Sequence, residues 1–292
     1  MNFQIVVGST TDLPAKLAEK SGLSVIPFIF TQDGKDYYNY LDNREISSKD
    51  FFAALREGKM ASTTQITTYR YQEAWEPFLQ EGKDILYLCL SSALSKSYEQ
   101  SVMAAEEIME KYPERRVITI DSKSASLGQG ILAVYAAKMR DQGKSLDEVA
   151  AYIQRLIPRL QHWVMVDDLK HLKRGGRASG TAAFVGSMLG VKPVLTVVDD
   201  GRLVPKTKVR GKKNALQYII DQMVEQKVKT KKQTICIVHG DTPELARQLQ
   251  DMIIAKFGKC EFLISNIGPV IGAHAGPGAI ATMFLGAKRV MN

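Results

Sequence analysis

Three apolar runs in this chain each end in a cluster of hydroxyl side chains. FQIVV (Phe3 to Val7) leads through Gly8 into STTDLP (Ser9 to Pro14), DILYLCL (Asp84 to Leu90) into SSALSKS (Ser91 to Ser97), and RVITID (Arg116 to Asp121) into Ser122 to Ser126. Each run reads as a buried strand, and each cluster opens a helix. In a parallel sheet such junctions share one edge, where open α/β folds place ligands, so together they predict a concave polar rim. A fourth stretch, ISNIGPVIGAHAGPGAIATMFLG (Ile264 to Gly286), carries several glycines, two prolines and His274 without one charged residue. Gly276, Pro277 and Gly278 are expected to open a buried helix through Leu285, with backbone amides free to approach an anion. The alternative for a lone histidine is a satisfied core residue.

The elements that position these residues can be laid out from periodicity and caps. Further strands are expected at Ser24 to Thr31, Trp163 to Val166, Gln233 to Val238 and Glu261 to Ser265. Helices are expected at Pro14 to Ser21, from Ser47 or Ser48 to Gly58, over Tyr71 to Leu79 and Tyr98 to Lys111, from the lead-in Ser122 to Ser126 as far as Arg140, and over Ser145 to Ile157, Lys212 to Val224 and Thr242 to Phe257. ASTTQITT (Ala61 to Thr68) reads as a hydroxyl-rich loop, and Leu169 to Arg177 as a basic turn too glycine-rich to be helical throughout. Ala178 to Leu189 is small and apolar, suited to packing against another helix or a ligand. Asp199-Asp200-Gly201-Arg202 joins Val194 to Val198 and Leu203 to Val209 as a hairpin.

At 292 residues the chain exceeds one typical core, and two α/β domains are expected, 1–160 and 161–292, without a marked linker between them. No apolar run approaches the ~20 residues of a membrane helix, and the N-terminus reads as a strand rather than a leader, so a cytoplasmic protein is expected. Cys89, Cys236 and Cys260 are too widely spaced for a disulfide framework or a CxxC zinc site, so neither is expected. Gly128-Gln129-Gly130 with Ala133 matches a dinucleotide fingerprint in letters only, because it falls inside a helix. Gly143-Lys144-Ser145 lacks the earlier glycine of a phosphate loop. The net charge of +8 invites a nucleic-acid reading at KTKVRGKK (Lys206 to Lys213) and KVKTKK (Lys227 to Lys232). Neither is interleaved with stacking aromatics, so no nucleic acid is expected as a partner.

STTDLP, STTQ (Ser62 to Gln65), SSALSKSY (Ser91 to Tyr98), IDSKSASLGQG (Ile120 to Gly130), LKRGGR (Leu172 to Arg177), Lys192-Pro193, KVRG (Lys208 to Gly211) and IGPVIGAHAGPG (Ile267 to Gly278) resemble, in this order, the DegV family of fatty-acid-binding proteins. The resemblance spans essentially the whole chain. It implies an N-terminal α/β/α parallel-sheet domain and a C-terminal two-layer α/β mixed-sheet domain, with one long-chain fatty acid between them and no other cofactor or metal. It further implies that the protein is no enzyme by itself but presents the carboxylate to a separate ATP-binding fatty acid kinase subunit. By the same resemblance the carboxylate site would comprise Thr63, Thr64, Ser92, Ser95, Gly272 and His274. The acyl pocket would comprise Phe28, Phe184, Val185, Met188, Leu189, Ile271 and Met283, and Lys173, Arg174, Arg177 and Arg210 would dock the kinase. The chain departs from the family pattern at Gly8, where aspartate is usual, at Lys96, where glycine is usual, and at Ala273. Lys96 is expected to point outward, since a lysine in a first helical turn opposes the helix dipole.

A competing expectation is a lipid hydrolase or acyltransferase using Ser95 and His274. Against it, the sequence offers neither a GxSxG elbow nor a carboxylate near either motif.

Overall fold

The computed structural model describes residues 3–177 and 190–289. The chain opens with β1 (Phe3–Gly8), a short 3-10 turn at Ser9–Thr11, α1 (Ala15–Lys20) and β2 (Leu23–Ile26), followed by β3 (Phe28–Gln32), β4 (Lys35–Asn39), α2 (Ser48–Arg56), β5 (Ala61–Thr63) and α3 (Thr68–Gln80). Next come β6 (Asp84–Cys89), α4 (Ser97–Lys111), β7 (Val117–Asp121), α5 (Leu127–Asp141) and α6 (Leu146–Leu156). Side-chain caps set several starts: Ser47 accepts from the Asp50 amide, and Ser145 forms a reciprocal capping box with Glu148.

The second half contributes β8 (Leu160–Met165), α7 (Lys170–Gly175), β9 (Val191–Val197), β10 (Leu203–Arg210), α8 (Lys212–Glu225), β11 (Thr234–His239), α9 (Pro243–Phe257), β12 (Glu261–Asn266), α10 (Pro269–Ala275) and β13 (Ile280–Leu285). Among the described residues the strands form three sheets. The first, in order β2-β1-β6-β7, is wholly parallel, so the hydroxyl clusters after β1, β6 and β7 do share one edge. The second, β10-β9-β8-β13-β11-β12, is mixed, and only β11 and β12 among its pairs run parallel. A small antiparallel sheet, β4-β3-β5, lies beside them.

Three expectations are corrected here. The span 279–285 is a strand rather than a helix, and the helix of this region lies upstream, with Pro269 in its first turn. β13 is buried on both faces between β8 and β11, so its residues are apolar without alternation, and a short run of that kind carries no period to separate strand from helix. Gly276 and Gly278, both at φ near 80°, turn the chain out of α10 into this strand. The span Ser24 to Thr31 divides at Pro27 into two strands of different sheets, because proline withholds the donor that would continue the parallel ladder. Finally, Lys170–Gly175 is helical and closes on Gly176 in the left-handed region.

Helix α5 packs against β1 and β6 on one side and against β11 and β13 on the other. The two glycines of its GQG sequence are explained by close approach: a Cβ at position 130 would lie 2.9 Å from the Thr11 carbonyl, and one at 128 would overlap the His162 ring. Gln129 between them is fully buried, accepting from the Thr10 hydroxyl and donating to the Leu88 carbonyl, each at 2.9 Å. One apolar cluster therefore runs from the parallel sheet across α5 to Cys236, Val238 and Met283, while a second lies between the far face of the mixed sheet and α8 and α9. Lys206, Lys208 and Arg210 alternate on the exposed side of β10, an edge strand, where charge discourages pairing with another chain.

Two buried ionisable side chains tie the halves together. Asp12 accepts from the Ser126 hydroxyl and from the Gly268 amide ahead of α10, and burial raises its pKa to about 7 against the lowering effect of those bonds. Arg289 donates to the carbonyls of Lys123, Ile157, Leu160 and Val198. Removing a buried hydrogen-bonded cation leaves those acceptors unsatisfied, at about 1–3 kcal/mol each where water cannot reach them. Arg289→Ala is therefore expected to lower unfolding stability by roughly 2–5 kcal/mol in urea denaturation; a change below 0.5 kcal/mol would show that the clasp is not stabilising.

Candidate functional site

A cavity of about 350 Å³ opens between the edge of the parallel sheet and the inner face of the mixed sheet. Its size falls within the roughly 300–1,000 Å³ usual for ligand sites. The wall on the mixed-sheet side follows strand parity. His162 and Val164 of β8, with Ala281 and Met283 of β13, face the cavity, whereas Trp163, Met165, Ile280 and Phe284 face α8 and α9. From the other side come Phe28, Leu90 and Ser126, and α10 supplies Val270, Ile271, His274 and Ala275, whose spacing defines one helical face.

The polar groups collect at one group of loops. Thr63 is the last residue of β5, held opposite Phe30 by the small sheet, and its hydroxyl lies 2.9 Å from His274 Nε2. The Thr64 amide donates to the Ile29 carbonyl, fixing the turn that follows. Ser95 Oγ donates to Ser97 Oγ and accepts from the Ser97 amide in the first turn of α4. Ser97, fully buried, accepts in turn from the Ile66 amide and so joins this loop to the one carrying Thr63. Arg177 also reaches the cavity, its Nε donating to the Leu94 carbonyl, and Lys96 lies exposed at the rim.

His274 is largely buried. Desolvation, with a smaller contribution from the Arg177 and Arg174 cations, lowers its pKa to about 4. At neutral pH the ring is therefore uncharged, with one N–H to donate. Its Nδ1 packs on Gly175, where a Cβ would overlap it, and has no hydrogen-bond partner among the described residues. The hydroxyl on Nε2 belongs to Thr63, not Ser95. A nucleophile–base–carboxylate relay on Ser95 and His274 is thus absent from the described residues. A second serine–histidine contact, Ser124 to His162 at 2.6 Å, likewise has no carboxylate on its histidine.

Of the residues expected to hold a carboxylate, Thr63, Thr64, Ser95 and His274 line this one cavity, as do Phe28, Ile271 and Met283 of those expected to hold an acyl chain. Ser92 and Gly272 are not part of its wall. Ser92 turns outward and donates its hydroxyl to Asp121, while Gly272 faces α2, with the Phe51 and Phe52 rings where a Cβ would stand. Phe184, Val185, Met188 and Leu189 lie outside the described residues. Lys173, Arg174 and Arg210 are exposed, and neither they nor Arg177 form an ion pair among the described residues. Arg177, expected at a docking surface, instead contributes to the cavity. Ser126 belongs to the hydroxyl rim expected after β7, whereas Gln65 and His162 were not foreseen as wall residues, although Gln65 adjoins the threonine pair in the STTQ motif.

These features define a class: an α/β protein of two principal sheets enclosing an apolar cavity whose polar mouth carries a hydroxyl–imidazole pair beneath arginines. The chain belongs to the DegV family, whose model matches residues 2–287. It is 41% identical over 284 residues to a DegV domain-containing protein of Clostridium perfringens, covering 97% of each chain. Among solved structures, a DegV family protein from Thermus thermophilus described for its fatty acid binding is 29% identical, with TM-score 0.88 over 98% of this chain and 100% of that one. DegV of Bacillus subtilis, described as a fatty acid binding protein, is 28% identical, with TM-score 0.85 over 98% and 99%. Among the described residues no helix is long and apolar enough to cross a membrane.

The histidine makes the site pH-sensitive. Because its pKa is lower folded than unfolded, the unfolded chain takes up a proton that the folded protein refuses as pH falls from about 6.5 to about 4. The contribution of His274 to stability should be complete above that window and decline within it. Unfolding midpoints measured from pH 7 to 4.5 should fall more steeply for the native protein than for His274→Gln, and parallel curves would exclude a buried neutral imidazole.

Proposed function

We propose that this protein binds one long-chain fatty acid, with the acyl tail in the cavity and the carboxylate at Thr63, Thr64, Ser95 and His274, and presents that carboxylate to a separate ATP-dependent kinase subunit. The observation that carries the reading is a cavity that combines an apolar wall with a mouth of hydroxyls, neutral imidazole and arginine. Burial of an acyl chain contributes ~0.8 kcal/mol per methylene, on the order of 10 kcal/mol for a chain of about 16 carbons before ordering costs. The tail thus supplies affinity. The mouth supplies orientation, since hydrogen bonds to an ionised carboxylate are roughly twice as strong as neutral ones. Arg177, which lines the cavity and is close enough to depress the imidazole, gives the entering anion a favourable field. The two relatives described as fatty acid binding support the ligand class.

Solvent extraction of the purified protein followed by mass spectrometry should release about one fatty acid per chain, and delipidated protein should take up acids of about 14 to 20 carbons. Thr63→Val and Ser95→Ala should each weaken uptake by about five- to fiftyfold, equivalent to the ~1–2.3 kcal/mol of one charge-assisted bond. A delipidated protein that takes up no acid in this range overturns the reading.

Presentation to a kinase is tested separately. Arg174 and Arg210 are exposed cations without ion-pair partners among the described residues, suited to an acidic docking surface. The double substitution Arg174→Ala with Arg210→Ala should abolish acyl phosphate formation from ATP with the cognate kinase while the bound lipid stays at native level. Undiminished acyl phosphate formation would remove these residues from the docking surface.

A further inference from the structure

Gly8 lies at the end of β1 with φ −84° and ψ 158°, a conformation open to any residue. Its missing side chain is therefore not a backbone requirement. It is a packing requirement, because a Cβ at this position would stand 2.6 Å from Phe28 Cε2 and 3.3 Å from Cδ2. Phe28 cannot retreat by shifting its main chain: its amide donates to Ser9 Oγ at 3.0 Å, and it is held in register opposite Asn39, whose side-chain amide donates to the same oxygen at 3.1 Å. The ring is buried and forms part of the cavity wall, so it is clamped between the Gly8 backbone and the ligand space.

We infer that Phe28 is a specificity-determining residue, a gauge that limits the bulk of the acyl chain the cavity accepts, and that Gly8 is its positioning residue. The inference rests on the fatty acid reading. With glycine at position 8 the ring lies back against β1 and the cavity keeps its full width. A methyl group there drives the ring into the cavity, while a smaller side chain at position 28 withdraws the wall. The occupant this favours is an acyl chain as large as the withdrawn ring allows, and the two substitutions must act in opposite directions.

The test measures dissociation constants of delipidated protein for saturated acids of about 14 and about 20 carbons, with folding verified by thermal melting. A hydrophobic pocket distinguishes about one methylene by tenfold or more. Gly8→Ala should therefore shift the ratio of the two constants about tenfold toward the shorter acid, and Phe28→Leu should shift it toward the longer one. Combining the two substitutions should return the ratio to near the native value and also covers the case in which Gly8→Ala alone folds poorly. Uniform weakening toward both acids, an unchanged ratio, or shifts in the same direction would overturn the gauge while leaving fatty acid binding intact. Failure of the native protein to bind either acid would overturn the fatty acid reading, and the gauge with it.

Discussion

The structure depends on one helix that has almost no solvent face. α5 must satisfy two sheets at once, and it does so with glycine where a loop or ring comes close, alanine and aliphatic residues elsewhere, and a glutamine whose amide replaces two lost water contacts. Because α5 covers only part of the inner face of the mixed sheet, the rest of that face, including Val164, Ala281 and Met283, looks into open space. The cavity is what remains when a helix narrower than the sheet is laid across it. Apolar surface left uncovered in this way is costly in water, and so the same constraint that assembles the two halves leaves room for an apolar ligand.

The polar end follows from a second geometric fact, the common direction of β1, β6 and β7. Parallel strands deliver their following loops to one edge, and small hydroxyl residues there both cap the next helix and line the opening. Ser97 illustrates the economy of this arrangement: its single oxygen serves Ser95 and the Ile66 amide together, so the loops bearing Ser95 and Thr63 cannot drift apart independently.

Much of this was legible in the sequence because the signals are local. Alternating strands and helices, hydroxyl N-caps at Ser47 and Ser145, and the three strand-to-helix junctions each depend on residues a few positions apart. What escaped depends on partners distant in sequence. β5 is three residues long and exists because β3 pairs with it, so nothing in ASTTQITT announced a strand, although that strand is what aims Thr63. β4, with its polar KDYYN, is mostly exposed and lacks an apolar face to reveal it. The helix expected over 279–285 failed for the converse reason, since complete burial erased the period. Among the site residues, the hydroxyls of Ser92 and Ser95 have the same local chemistry, and only the rotation of the turn decides that one meets Asp121 and the other the cavity. Gly272 was expected beside His274 in the carboxylate site, but two steps along a helix is just over half a turn, which sends it to α2 instead.

The position of β13 bears on how the protein is made. It is inserted between β8 and β11, so the centre of the mixed sheet is filled by a strand that leaves the ribosome long after both of its neighbours. The parallel sheet and its flanking helices are complete early and can fold as they emerge. The mixed sheet cannot close until Ile280 to Leu285 arrives, and until then the facing edges of β8 and β11 have no partner. During that interval β8, paired with β9, and β11, paired with β12, each present one unpaired edge, the arrangement in which a nascent sheet is most open to mispairing.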